Sequence, residues 1–405
     1  MLDGDPFLYF SDLLVLMVVV APTYFLLPWM WARQLLLGLT GAYLLFLVAP
    51  RLLLLYAVFW LGVYVLQLAA TLWRDRPTSW VWTSVLVVSA LAPMVLWKLA
   101  AEWFVVGFNL HMNGFVDWLN PWTGAIDRVR NLILPIGLSF ATFRAVDQLI
   151  KVRLEIVPPL NPVRQFAYGF FPTVLIIGPV IEYTEIEDGL RRRTRWDPQD
   201  TLSGLLTISV GAVKVFLFAY LLRVSQGVFD LDAHQGSPLE YWLELAMFAW
   251  YFYFNFSGFS DMAIGSARIL GFRLAPNFNN PYLKTNPQDF WNSWHMSLTR
   301  FAQRNVFVPM GGMRAQTQYV AIFATMMVIA LWHDLSIPLV IFGLYHSAGL
   351  ILHRRWVARH PRRAGRGLAR RTGAWFAFFV FYLISLPLLL VDLSALPDFY
   401  ARLLP

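Results

Sequence analysis

Runs of about twenty apolar residues recur along the whole chain, and a run of that length is what an α-helix needs to cross the hydrocarbon core of a bilayer. In lipid every backbone polar group has to be satisfied internally, so such runs fold as helices. About eleven stretches meet or approach the required length: residues 7–29, 35–48, 52–73, 79–99, 132–150, 165–183, 202–222, 241–256, 319–332, 337–353 and 375–390. The second, eighth and ninth are short, which predicts tilt, burial by neighbours or an interfacial position. Composition agrees: 58% of residues are hydrophobic and 14% charged, against about 25% charged in a soluble domain. The expected fold is therefore an all-α polytopic membrane protein, with residues 1–405 forming one membrane-embedded domain. The segment 103–122, containing HMNG, FVDW and PWTG, reads as an interfacial amphipathic element, since Trp suits the headgroup zone.

Charge and cysteine usage narrow the function. Cysteine is absent, which excludes disulfides, thiolate metal sites and a cysteine nucleophile. The formal net charge is +8, and the basic residues cluster at 73–76, 191–195 and 353–371. These clusters predict cytoplasmic loops by the positive-inside rule, although Lys151 and Arg153 pull the other way at the far end of the 165–183 run. Because the basic residues flank apolar spans and form no soluble face, nucleic acid is excluded as a partner. The start, MLDGDPFLYF, lacks a basic stretch, so the first apolar run reads as a retained helix and not as a cleaved signal.

The polar residues concentrate between 277 and 346. Asn277, Asn279, Asn280, Pro276 and Pro281 break any helix there. Asn286–Pro287 reads as a helix entry with Asp289 near the positive end of the helix dipole. Residues 288–304 are then expected as one helix, with Trp291, Trp294, Leu298 and Phe301 at helical spacing. Three of the seven histidines, His295, His333 and His346, lie in this region. Ionisable residues at membrane depth are expensive and mark function by default. His333 ends the run VAIFATMMVIALW, which predicts a packed, partly dry imidazole kept neutral, as a general base requires. Its residues alone leave catalysis and interhelical packing equally open. His346, in FGLYHSAGL beside two glycines, is assigned to packing. His111, His234, His353 and His360 are expected to be solvated.

No metal site is expected. His333 and His346 are thirteen residues apart, which is about 220° of helical rotation, and no carboxylate stands beside His346 and His353. Two further polar sets interrupt apolar runs. Arg144 and Asp147 are three apart and are expected to pair on one helix face. Asp261, in YFNFSGFSDMAIG, is expected to be neutralised by a neighbouring group. A proton-coupled transporter would use the same residues as a relay, but would also call for broken helices in two symmetric halves, which the sequence does not display.

Four blocks, PIGLSFATFRAVDQLI (135–150), FSGFSDMAIGSARILGF (256–272), NFNNPYLKTNPQDFWNSWHMSLTRF (277–301) and LWHDLSIPLVIFGLYH (331–346), together resemble the membrane-bound O-acyltransferases, or MBOAT family. The likeness is to the bacterial branch, which includes the D-alanyl transfer proteins of teichoic acid modification and the alginate O-acetyltransferases. It spans a motif core of residues 135–346. The resemblance implies a ring of helices around a thin central funnel, and a multi-pass protein of the bacterial inner membrane. It also implies transfer of a D-alanyl or acetyl group from a phosphopantetheine thioester, on an acyl carrier protein or coenzyme A, to a hydroxyl. The acceptor is implied to be an envelope polymer, teichoic acid or polysaccharide; a small-molecule acceptor is the alternative, since the catalytic core is the same. The donor is a substrate, so no bound cofactor and no metal is implied.

The near-invariant histidine of the family's LWHG block falls on His333, and its polar partner, from the WRRWH or WNRWH block, falls on His295. These two are the catalytic candidates, with His333 as base. Asn292, matching the Asn of WNRWH, together with Asp289, Trp294 and Trp332, is expected to position substrate. Two departures stand out. Asp334 replaces the Gly that follows the histidine, and TRFAQRNVFVPMGG replaces the usual WFRDYV-type segment, with Asn305 where Asp is common. The Gly311–Gly312 ending leans toward the alginate type and WNSWHMSL toward the D-alanyl type.

Overall fold

The computed structural model describes residues 6–48, 50–72, 79–99, 137–191, 195–225, 236–360, 367–391 and 393–404. The described residues are helical, without strands. By length and composition six helices are suited to crossing a membrane: Tyr9–Leu26, Met30–Val48, Leu53–Leu72, Pro198–Arg223, Ile337–Arg359 and Leu368–Leu390. Thr83–Leu96 and Gln318–Leu331 are apolar but shorter. The predicted interfacial element at 103–122, His111 and His234 lie outside the described residues.

The chain groups into two compact units, Met1–Ile208 with Met262–Leu274, and Ser209–Asp261 with Ala275–Pro405. In the first unit, α1 (Pro6–Leu26), α2 (Met30–Val48), α3 (Pro50–Leu72) and α4 (Ser79–Leu99) are the long apolar helices. The next element departs from expectation. Residues 132–136 of the expected span lie outside the described residues, and the rest of it forms α5, Leu138–Arg153, which buries Arg144, Asp147, Gln148, Lys151 and Arg153 along with its apolar residues. A helix buried on all faces with five such side chains is walled by protein, where polar groups find partners that lipid would not supply. The expected Arg144–Asp147 pair does not form. Arg144 donates to the carbonyls of Tyr168 and Gly169 and lies 4.8 Å from the centre of the Tyr168 ring. Asp147 instead meets Lys151 at 2.9 Å, and Lys151 also binds Glu182 at 2.8 Å.

The expected span over 165–183 is likewise broken. Residues Pro162–Gly169 form α6, Pro172–Val174 a single 3₁₀ turn, and Tyr183–Arg191 form α7. Pro172, and Gly178 at φ 142°, interrupt the helix that apolarity alone suggested. A buried amide network ties these pieces together. Gln148 Nε2 donates to Gln67 Oε1 at 3.0 Å and to Gln165 Oε1 at 2.7 Å, while Gln67 Nε2 donates to the Leu160 carbonyl at 2.9 Å.

Two helices contribute residues to both units. The first, α8 (Pro198–Ala212), continues through a π-helical stretch, Val213–Ala219, to Ser225. The second, α9 (Pro238–Ile269), is 32 residues long and far exceeds the expected 241–256. In the second unit the π-helical stretch carries Lys214, which meets Asp261 at 2.6 Å, so the expected neutralisation of Asp261 is present. The same unit holds α10 (Pro287–Trp291), α11 (Met296–Ala302), α12 (Gln318–Leu331), α13 (Ile337–Arg359) and α14 (Leu368–Ser385). His353 lies on α13 and not in a loop.

Replacing Gln148 by Leu keeps the volume but strips the buried Gln165 amide of its partners at both oxygen and nitrogen, while Gln67 Oε1 keeps only the Leu160 N–H at 3.1 Å. Each such group costs about 1–3 kcal/mol. The Gln148→Leu protein should therefore unfold at a clearly lower temperature in detergent, measured by intrinsic fluorescence, with no change at Gln199→Leu on the exposed start of α8.

Candidate functional site

The helix expected over 288–304 is two short helices with a sharp turn between them. The first, α10, starts with a reciprocal cap: Asn286 Oδ1 accepts from the Asp289 backbone N–H at 2.9 Å, and Asn286 Nδ2 donates to Asp289 Oδ2 at 2.7 Å. Pro287 fills the first helical position, where no N–H is needed. The second, α11, starts at Met296. Between them His295 takes φ 41° and ψ 54°, the left-handed region that costs a non-glycine residue about 1–2 kcal/mol. A continuous helix is therefore impossible at His295.

What holds the turn is the stretch Asn277–Asn279. The Asn277 carbonyl accepts from Met296 N–H at 2.8 Å, and Asn279 N–H donates to the Ser293 carbonyl at 2.9 Å. The Asn277 side chain adds contacts to His295 Nδ1 at 3.1 Å, Ser297 N at 3.1 Å and Ser297 Oγ at 2.8 Å, all at Oδ1. Its Nδ2 donates to Ser260 Oγ on α9 at 3.0 Å. Asn277, Ser260 and Ser297 are all buried.

His295 is itself buried, packed edge-on against Phe256 at 4.7 Å between ring centres and against Trp332 at 5.8 Å. Burial, reinforced by His333 and Arg300, holds its imidazole well below the ordinary histidine range, so the ring is neutral. The Trp332 ring continues to His333, with centres 4.4 Å apart. The turn after α12 thus brings His295, Trp332 and His333 into one row of rings. The environment of His333 differs from expectation, however. α12 ends at Leu331, and His333 stands exposed on the turn that follows, with Asp334 and Leu335 also exposed. The helix that carries the apolar run stops two residues before it, so the run that suggested a dry setting does not enclose it.

The other candidates are dispersed. Asn292, at the C-terminal end of α10, is exposed and within 3.5 Å of Gln288 Nε2. Both line a cavity of about 120 Å³ that also includes Thr299, Gln303, Thr325 and Arg354. Asp289, the partner of the Asn286 cap, lines a separate groove of about 790 Å³ with His353, Arg370 and Arg371. Asp334 borders a third hollow of about 370 Å³ with Ser336 and Pro338. Trp294 belongs to an aromatic core: it stacks on Phe290 and Tyr282, each at 5.7 Å, and the Tyr282 hydroxyl meets the Ala249 carbonyl and the Tyr382 hydroxyl.

His346 fills the packing role expected of it. It is buried, accepts from Trp291 Nε1 at Nδ1 over 3.4 Å, and lies 3.0 Å from Ser385 Oγ at Nε2. Ser385 Oγ gives its proton to the Tyr382 carbonyl at 2.7 Å, so His346 Nε2 carries the hydrogen. Asn277, Ser260 and Ser297 carried no catalytic signal in the sequence. Asn277 registered only as a helix breaker, because its contacts reach 20 residues in one direction and 17 in the other.

The comparisons with known proteins follow this geometry. The profile of the MBOAT, membrane-bound O-acyltransferase family, matches residues 42–396. A probable alginate O-acetylase of Pseudomonas aeruginosa is 32% identical over 62% of this chain and 49% of its own length. A peptidoglycan O-acetyltransferase of Helicobacter pylori is 27% identical over 69% of this chain and 56% of its own. A teichoic acid D-alanyltransferase of Bacillus subtilis is 28% identical over 54% of this chain and 58% of its own. The chain spans about half the length of these relatives.

His346 and His333 should respond oppositely to mutation. His346→Phe strands the Trp291 N–H and frees the Ser385 hydroxyl from its donor, at about 1–3 kcal/mol each. It should lower the thermal midpoint sharply. His333→Ala, on an exposed turn, should stay within about 0.5 kcal/mol of the parent. Thermal unfolding of the two purified variants checks both.

Proposed function

Because the chain belongs to the membrane-bound O-acyltransferase family, we propose that it moves an acetyl group from a thioester donor to a hydroxyl of a cell-envelope polysaccharide. The observation that carries this reading is the row His295, Trp332, His333, which places a buried neutral imidazole one ring away from an exposed one. The exposed His333 is where an acceptor hydroxyl arrives. Its imidazole takes the hydroxyl proton as the oxygen attacks the thioester carbonyl. The C–O bond forms, the C–S bond breaks, and the departing thiolate takes the proton back, leaving ester and free thiol. The thioester is already activated, so neither a protein nucleophile nor a Lewis acid is required.

Three features bear on the acyl group. The alginate-type relatives are 30–32% identical to this chain, while the D-alanyltransferases are 24–28% identical. The Gly311–Gly312 ending supports the acetyl side too. The WNSWH segment supports the D-alanyl side, which is the second reading. The donor is a phosphopantetheine thioester of coenzyme A or of a carrier protein, reaching the site from the cytoplasmic face of the inner membrane. The basic sequence of 191–195 is opposite in charge to an acidic carrier.

His333→Ala should lower ester formation by at least about 100-fold, the usual scale of general-base loss, while expression stays unchanged. Mass spectrometry of envelope polysaccharide, before and after mild base, reads the outcome and identifies the released acid as acetate or alanine. Full ester content in the His333→Ala strain would sink the proposal.

A further inference from the structure

The Asn277 carboxamide has a fixed orientation, and that orientation sets the chemistry of His295. The Ser297 backbone N–H points at Asn277 Oδ1 from 3.1 Å, and a backbone N–H is only a donor, so the atom facing it is the carbonyl oxygen. The amide nitrogen is then the atom 3.0 Å from Ser260 Oγ, where it donates. An amide oxygen only accepts. His295 Nδ1 lies 3.1 Å from that oxygen. A bare Nδ1 would bring two lone pairs face to face, so Nδ1 carries the hydrogen. The Ser297 hydroxyl, 2.8 Å from Asn277 Oδ1 and 3.4 Å from His295 Nδ1, gives its proton to the nearer oxygen and leaves the assignment unchanged. With the ring neutral, the lone pair is on Nε2.

We propose that Asn277, anchored by Ser260, is a positioning residue that holds His295 in the Nδ1–H form and so makes Nε2 a hydrogen-bond acceptor of the site. This rests on the acyl-transfer reading for its consequence, though not for its geometry. As an acceptor at Nε2, neutral His295 donates no hydrogen bond there to the oxyanion of the tetrahedral intermediate. That role passes to a group other than His295. His295 instead takes a hydrogen bond from an O–H or N–H that reaches the row of rings. Its competence is lost when it is protonated. The groups acting on its charge are His333 and Arg300, both of which oppose a positive ring.

Two measurements test the assignment. The first needs no substrate. In detergent-purified full-length protein labelled with ¹⁵N-histidine, the His295 signals are identified by their disappearance in His295→Gln. The expected spectrum shows a protonated Nδ1 and a bare Nε2, and it should change in Asn277→Ala. A protonated Nε2 in the parent overturns the proposal.

The second measurement is the pH profile of acetyl transfer, with ¹⁴C-acetyl coenzyme A as donor probe and host envelope polysaccharide as acceptor. Asn277→Ala should lower kcat by about 100-fold or more with the donor KM unchanged. Asn277→Asp keeps the shape and the acceptor oxygen but adds a carboxylate, which raises a neighbouring imidazole by about one unit or more. Its acid limb should move up by that amount, with activity retained above it. Equal losses in both variants with an unmoved limb, or parental activity in Asn277→Ala, also overturn the proposal. Absence of transfer in the parent protein would count against the acyl-transfer reading alone, because the spectrum reports the tautomer independently.

Discussion

The Asn277 carboxamide joins three separate parts of the second unit, and the shape of the site depends on it. It draws Ser260 of α9, the His295 turn and the first residue pair of α11 into one buried hydrogen-bonded knot. Without those bonds the left-handed backbone at His295 has little to hold it, since the favoured alternative for 288–304 is the continuous helix its apolar spacing suggests. The continuous helix would rotate His295 away from Trp332 and lose the row of rings. A local strain of about 1–2 kcal/mol is thus offset by four hydrogen bonds in a dry setting, each worth about 1 kcal/mol net.

The same logic separates legible from illegible features of the sequence. Long apolar helices were readable because length and apolarity act locally: α1, α2, α3, α13 and α14 fall where hydropathy places them. The two misread spans, 132–150 and 165–183, are apolar on average but carry their own signs of trouble. The first holds Arg144, Asp147 and Gln148, and the second holds Pro172 and Gly178. Read as membrane-facing helices they would leave polar groups in lipid. Read as protein-facing pieces they supply the partners for one another, as Gln148 does for Gln165 and Arg144 for the Tyr168 carbonyl.

In the site, His295 and His333 were readable as a pair through the motif blocks, and Trp332 through its place beside His333. Their environments were not. Burial of His295 is produced by Phe256 and Trp332, which are 39 and 37 residues away in sequence, and exposure of His333 depends on where α12 stops. Trp294 looked like a site residue because it adjoins His295, yet alternate side chains of a tight turn point apart, and it faces the Tyr282 cluster instead. Asp289 looked like one because it is a carboxylate near the motif, but its carboxylate is engaged by the Asn286 cap.

The contrast between the two histidines bears on how such a site divides its work. A buried imidazole is held rigidly, and its tautomer is fixed by neighbours that do not move. An exposed one meets solvent but is less well oriented. Trp332 packs against both rings, at 5.8 Å from the buried one and 4.4 Å from the exposed one, and so gives the exposed ring a support. Asp334 then becomes the informative departure from the family pattern. On the same exposed turn, next to His333 and bordering a hollow of about 370 Å³, its carboxylate replaces a glycine hydrogen without crowding the buried knot. A change confined to the exposed side of the row alters what approaches His333 and leaves the Asn277–His295 geometry intact.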